Sequence, residues 1–479
     1  MTAFTDDQLR DIQGFGISGF NKDQQEILAI RFNSQAGGRQ LLSWLAPRVA
    51  DAFAVSRFNQ AFSEVLRRSG DETLRATWMA AMLSATGLAA LQVDLKDLPA
   101  GPSADAFEAG MAQRSQEIGD VQPADVPGQW LTPFQPNSNM IHLLIAVASD
   151  DERDLDRLIE EIYDRLQDSG SSVVYRERGC TLPPPNTGHE HFGFKDGISQ
   201  PAIQGDDPPP PGSPPAVPAG EFVLGYPDAL NNTIGTGTKW NNGSYVVFRR
   251  LAQDVARFRQ LVAGGVANAN PGVSIDALGA KMVGRWRSGA PIEKYPASDP
   301  GPGHEDNDFA YQQADAAGLT CPVWAHVRKA NPRDENAPGG QPAGSEQHRM
   351  LRRGIPFGPP LPDGLMTDDG VQRGLHFFCV VGDLVRQFEF VQSNWINNPN
   401  FPIGSVPTQP GGPYQPPTPG TPAGGPDPVM GEHDDNATDT LVQPAGTVSF
   451  PLGHELVKVT AGEYFFLPSI SALSAIANQ

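Results

Sequence analysis

The chain has 479 residues, enough for two or three domains, and 39% of them are hydrophobic, enough to give each domain a core. A formal net charge of −20 argues against a partner with a phosphate backbone, whose binding needs a basic surface to release counterions, though it leaves room for a local basic patch; nucleic acid is not an expected partner. No run reaches the roughly 18 apolar residues of a membrane span, and the start, MTAFTDDQLRDIQG, lacks a basic, apolar leader, so the expected location is the cytoplasm.

In chain order, residues 26–32 read as a strand, and Leu41, Leu42 and Leu45 then fall at helical spacing. The stretch 62–91 reads as helix-forming, with Leu66, Trp78, Met82 and Leu83 as core, and is expected to decorate a sheet. Residues 140–147 are a near-continuous apolar strand, in which His142 reads as a core histidine. Ser149-Asp150-Asp151 then starts a helix with Leu155, Leu158, Ile159, Ile162 and Leu166 on one face, and residues 172–176 return as a strand. That order is compatible with a ferredoxin-like unit.

The segment GDDPPPPGSPPAVPAG carries too many prolines for sheet or helix, so residues 205–220 are expected to be a linker between an N-terminal domain (1–204) and a C-terminal domain (221–479). The second half repeats the plan: strand 245–248, a helix marked by Val255, Phe258, Leu261 and Val262, strand 375–381, helix 384–395 and a closing strand 464–467. Two such halves give an α+β class of two ferredoxin-like units packed as a duplicated barrel. Between the last two elements, residues 397–428 read as a polar Pro/Gly surface loop. Cys180, Cys321 and Cys379 form no CxxC or CxxCH pattern and are expected to be buried free thiols.

Three separated motifs carry chemistry. HEHFGFKDGISQP places Asp196 between Gly193 and Gly197, and Phe192 and Phe194 are expected to exclude water around it. Taken alone, Asp-Gly is a common turn dipeptide. CPVWAHVRKANPR carries His326, which alone would read as a core histidine, and HRMLRRGIPFG carries Arg352 and Arg353. RGLHFFCV adds Leu375 and Phe377, core residues in a bare strand, with His376 facing the other way; GGPDPVMGEHDD adds Asp427, followed by Asp434, Asp435 and Asp439. His189 and His191 flank Glu190 and would share one side of a strand, adequate for a metal such as zinc.

These motifs, in this order, resemble the dye-decolourising peroxidases, and DIQGFGISGF, EILAIRF and FEFVQSNWINNPNFP look like segments of the same family, so the resemblance runs from about Asp11 to Pro468. It implies the duplicated α+β barrel and one non-covalent haem b per chain, held by His326 as the iron ligand, with Asp427 accepting a hydrogen bond from that histidine. Asp196 and Arg352 become the distal catalytic pair; Arg352 is preferred because the first arginine of LRRGIP aligns with the distal one. Arg353 becomes a surface or propionate-facing cation, His191 lies near a propionate, and Leu375 and Phe377 wall the distal cavity. The implied partners are hydrogen peroxide and a dye or aromatic reductant, oxidised through a ferryl intermediate, and an oligomer is possible. An Asp base implies activity well into the acidic range, since a carboxylate stays ionised where an imidazole is protonated. Large dyes could be served by a surface Trp or Tyr, but the sequence does not choose among seven tryptophans and eight tyrosines. The rival implication is a haem-handling protein, a carrier or a deferrochelatase-like enzyme, and a further one is a non-haem metal protein using His189 and His191.

Overall fold

A computed structural model describes residues 4–70, 73–95, 98, 101–120, 126, 128–205, 213–268, 273–334, 344–401, 425–433, 436–443 and 446–479. Part of the linker segment (206–212), most of the loop 397–428 (402–424), and Asp434 and Asp435 lie outside the described residues. No described helix is long and apolar enough to cross a membrane.

The N-terminal half starts with strand β1 (Gln24–Arg31) and helix α1 (Gln35–Leu45), which Ser34 caps by accepting from Gly37 N. Helix α2 (Ala52–Ser69) is capped by Asp51 and stops at Gly70, whose φ of 67° suits a residue without a Cβ. Strand β2 (Thr77–Leu83), strand β3 (Leu143–Ser149), helix α3 (Glu152–Ser169) and strand β4 (Ser172–Cys180) follow. Asp151 caps α3 through Arg153 N and Asp154 N, and Leu155, Ile159, Ile162 and Leu166 form its buried face. The pairings β2–β3, β3–β1 and β1–β4 are all antiparallel, the arrangement of a ferredoxin-like unit.

Strand β2 corrects the expectation of a helical stretch from Phe62 to Leu91. Its Met and Ala residues favour helix in isolation, but the segment is buried between β3 and a strand from the other half, and that pairing overrides propensity. Leu66, expected in the core, is 39% exposed on α2, while Met82 and Leu83 are fully buried.

The C-terminal half repeats the unit with β5 (Ser244–Gln253), α4 (Val255–Asn268), the short strands β6 (Leu351–Arg352) and β7 (Ile355–Phe357), and β8 (Gly374–Val381). Two wide π-type helical stretches, Leu384–Glu389 and Val391–Ile396, come next. A separate hairpin of β9 (Thr438–Gln443) and β10 (Gly446–Pro451) precedes the closing strand β11 (Val457–Leu467). Strand β5 lies between β11 and β8. The halves join where Leu83 of β2 pairs with Phe466 of β11 and where Gly179 of β4 pairs with Phe357 of β7, so the sheet closes as a duplicated α+β barrel.

Alternation along β5 and β8 sorts their side chains to two faces. Phe248 and Phe378 pack inside the barrel with ring centroids 4.9 Å apart, and there His376 Nε2 donates to Glu177 Oε2 at 2.6 Å while Arg250 donates to the same carboxylate at 2.8 and 2.9 Å. The opposite face carries the cross-strand pairs Leu251–Leu375 and Arg249–Phe377, which floor a cleft. His142 lies just before β3, where its Nδ1 accepts from Phe32 N, as expected of a satisfied core histidine. Cys321 and Cys379 are buried, but Cys180 is exposed. Its neighbour Gly179 faces Ile355 and His376, so the next residue of the strand points outward.

Candidate active site

The cleft has a volume of about 250 Å³ and is lined by residues from nearly every motif. On one side, helix α5 (His326–Ala330) presents His326 at its first position. His326 Nδ1 donates to Asp427 Oδ2 at 2.8 Å, and Asp427 is fully buried, its Oδ1 fixed by Val429 N at 2.9 Å and Met430 N at 3.0 Å. Burial alone would lower the imidazole pKa, but the Asp427 charge and hydrogen bond outweigh it and raise it. Burial likewise opposes the carboxylate, yet His326 and the two amides bring Asp427 below its ordinary value. His326 Nε2 has no hydrogen-bond partner among the described residues, so it is available to the cleft. Of the acids that compete with Asp427 in sequence, Asp439 makes no hydrogen bond to His326.

Facing it is the loop that carries Asp196. Gly193 (φ 92°) and Gly197 (φ 77°) allow its tight path. Glu190 clamps the loop by accepting from Phe192 N at 2.8 Å and Phe194 N at 2.9 Å, and burial raises its carboxyl pKa despite those bonds. Phe192 stacks on Phe258 of α4 at 4.6 Å, and Phe194 meets the same ring edge-on at 6.0 Å. Asp196 is less dry than the flanking phenylalanines suggest, with 34% of its side chain exposed. Its Oδ1 accepts from Gly197 N at 2.6 Å and from Arg352 Nη1 at 3.2 Å, leaving Oδ2 without a hydrogen bond among the described residues.

Arg352 is fixed at both ends. Its Nη2 donates to Ile198 O at 2.5 Å, and the Gln200 amide grips its backbone, accepting from Arg352 N at 3.0 Å and donating to Arg352 O at 2.9 Å. Leu375 and Phe377 line the cleft.

Two residues expected at the cofactor are placed elsewhere. Arg353 donates to Ile17 O and, at 3.4 Å, to Phe15 O, and lines a neighbouring cavity instead. It alternates with Arg352, so the two point to opposite sides. His191 is absent from the cleft wall; its Nε2 donates to Phe357 O at 2.8 Å, and burial pushes its pKa down to about 4. His189 spans the carbonyls of Thr187 and Arg287, so the two imidazoles serve different carbonyls and do not converge.

Besides Arg249, whose charge Asp120 balances, sequence reading missed three further cleft arginines: Arg285, Arg333 and Arg349. None pairs with a carboxylate among the described residues; their hydrogen bonds go to carbonyls, a hydroxyl and an amide. Burial lowers the pKa of Arg285 to about 10, and burial with Arg333 and Arg352 nearby does the same to Arg349. Arg285 is buried and Arg333 and Arg349 are partly so, and cations withdrawn from water without counterions need an anion. A largely apolar cleft with an available imidazole on one side and a surplus of guanidinium charge fits a haem and its two propionates.

A model of the DyP dimeric alpha+beta barrel domain matches residues 11–181. Dye-decolorizing peroxidase msp1 of Mycetinis scorodonius is 34% identical over 82% of this chain and 75% of its own length. A dye-decolorizing peroxidase of Exidia glandulosa is 33% identical over 97% of this chain and 86% of its own. The solved structure of a dye-decolorizing peroxidase in complex with 2,6-dimethoxyphenol aligns with a TM-score of 0.77 at 29% identity, covering 98% of this chain and 99% of that one. With a barrel and cleft of this kind, and with relatives of this similarity over most of its length, the chain is an enzyme of the dye-decolourising peroxidase family, whose cofactor is haem.

Proposed function

We propose that each chain binds one non-covalent haem b through His326 and uses hydrogen peroxide to oxidise dyes and phenolic or other aromatic reductants. The observation that carries this reading is that one cleft presents both a carboxylate-backed imidazole, His326 with Asp427, and a carboxylate–guanidinium pair, Asp196 with Arg352.

Bound haem supplies an iron that coordinates peroxide and exchanges single electrons. Asp427 holds the Nδ1 proton of His326, which leaves Nε2 as the atom that would ligate the iron and would strengthen it as a donor. Arg285, Arg333 and Arg349 would hold the propionates, and Leu251, Leu375 and Phe377 keep bulk water from the distal space.

Asp196 Oδ2 is the atom free to move a proton, because Oδ1 is held by Gly197 and Arg352. It takes the proton from one oxygen of HOOH and returns it to the other, which then leaves as water. Arg352 cannot lose its charge and is held in place by Ile198 and Gln200, so it supports the negative charge that develops between those two transfers. The 2,6-dimethoxyphenol complex of a solved relative supports a phenol as reductant.

The test mixes purified haem-loaded protein with peroxide and a dye. Many turnovers per chain with the Soret band retained support the peroxidase reading. A single turnover with iron released to a chelator would replace it with haem handling.

A further inference from the structure

Helix α5 has five residues and no side-chain cap. A helix that short does not hold its own orientation in water, because nucleation consumes most of what its few hydrogen bonds return. The direction of His326 is therefore imposed from outside, and two buried cations on the same helix impose it. Arg328, fully buried, donates to Cys321 O at 2.5 Å and to Asp315 O at 3.0 Å.

Lys329, also fully buried and three residues beyond His326, donates to the carbonyls of Asn398 at 2.7 Å, Phe401 at 3.1 Å and Gly425 at 2.7 Å. Three acceptors match the three N–H donors of an ammonium. They belong to two separate segments, one following the stretch Val391–Ile396 and one beginning at Gly425, two residues before Asp427. A single ammonium thus ties the helix that carries His326 to the segment that carries its hydrogen-bond acceptor.

A second observation fixes the same segment. Asp439 is fully buried, and neither of its carboxyl oxygens has a hydrogen-bond partner among the described residues. A Cβ at Gly425 would collide with its Oδ1 and come within 3.3 Å of Trp324 Cβ. Gly425 is therefore wedged between Asp439 and the residue two before His326, with its carbonyl turned onto Lys329.

We infer that Lys329 is the positioning residue that sets the hydrogen bond between His326 and Asp427. The inference rests on the reading of His326 as the iron ligand. Haem-loaded Lys329→Met, which keeps the length of the side chain and removes its donors, is compared with wild type, Asp427→Asn and the double variant. The readouts are haem content, the Fe(II)–His stretching band in resonance Raman, and the Fe(III)/Fe(II) potential.

The expected result is retained haem, a stretching band moved to lower frequency and a raised potential, both in the direction given by Asp427→Asn. The double variant shows no shift beyond that of Asp427→Asn alone, because Lys329 acts through that carboxylate. An unmoved or raised band overturns the proposal, as does a Lys329→Met shift that adds in full to that of Asp427→Asn. If Lys329→Met does not fold, Lys329→Gln keeps two donors and is read by the same criteria. Absence of the Fe–His band in wild type, or its persistence in His326→Ala, overturns the ligand assignment and this proposal with it. A wild-type band left unshifted by the Lys329 variants overturns this proposal alone.

Discussion

Replacing Arg352 with Leu removes the guanidinium that pairs with Asp196 while leaving most of its surroundings in place. Gln200 holds residue 352 by backbone atoms, which the substitution keeps, and Asp196 Oδ1 keeps its 2.6 Å bond from Gly197 N. What is lost is the pair of bonds from the guanidinium to Asp196 at 3.2 Å and to Ile198 O at 2.5 Å, together with the charge proposed to act on peroxide. Removing one preorganised donor from a site where charge develops slows a reaction about 10²–10³-fold, or about 3 to 4 kcal/mol. The assay is stopped-flow observation of the Soret change on mixing haem-loaded protein with hydrogen peroxide under pseudo-first-order conditions. A second-order rate constant within about threefold of wild type would refute the role given to Arg352.

Three other outcomes follow from the same geometry. Asp196→Asn should slow the peroxide step by about 10²–10⁴-fold at every pH tested, and an unchanged rate would remove Asp196 as the proton carrier. Arg353→Leu loses its bonds to Phe15 O and Ile17 O, so thermal denaturation should show a loss of about 1–3 kcal/mol, with the peroxide rate nearly unchanged; a large rate loss would place Arg353 in the catalytic machinery. Burial pushes the Glu463 carboxyl up to about 7, against the bonds it accepts from Tyr464 N and Met111 N. The folded state therefore keeps a proton that the unfolded chain gives up, and its stabilising effect is complete below about pH 4.5 and is lost as pH rises towards 7. The loss is at most about 3 kcal/mol, less because part of the side chain reaches the surface. Glu463→Gln should flatten stability across that window in denaturant titrations, and an unchanged slope would contradict the assignment.

Periodicity carried much of the fold. The apolar run of β3 and the single buried face of α3 are visible as patterns, and the strand–helix–strand order of each half follows from them. Strand β2 was hidden because TWMAAML is built of residues that also favour helix, and only its place between β3 and β11 decides the matter. The distal loop was legible because Gly193 and Gly197 both require positive φ, a demand that glycine spacing advertises. The pair Arg352 and Arg353 could be ordered only through the resemblance, since nothing local says which faces the cleft. Pairing of Leu351 and Arg352 with β8 settles it in the structure. The other arginines were missed because a net charge of −20 conceals a local basic pocket whose members are separated in sequence by up to 64 positions, from Arg285 to Arg349. Nothing in VRKANPR singles out Lys329, and only the fold shows its three carbonyls.

The central claim is that His326 binds the iron of a haem held in this cleft, and haem titration of wild type and His326→Ala tests it most directly. Pyridine haemochrome analysis of the wild type should give one haem b per chain. His326→Ala should keep its far-ultraviolet circular dichroism, since the side chain serves the cofactor and not the barrel, and should bind haem weakly or not at all. Full haem occupancy with an unchanged Soret spectrum in His326→Ala would contradict the account.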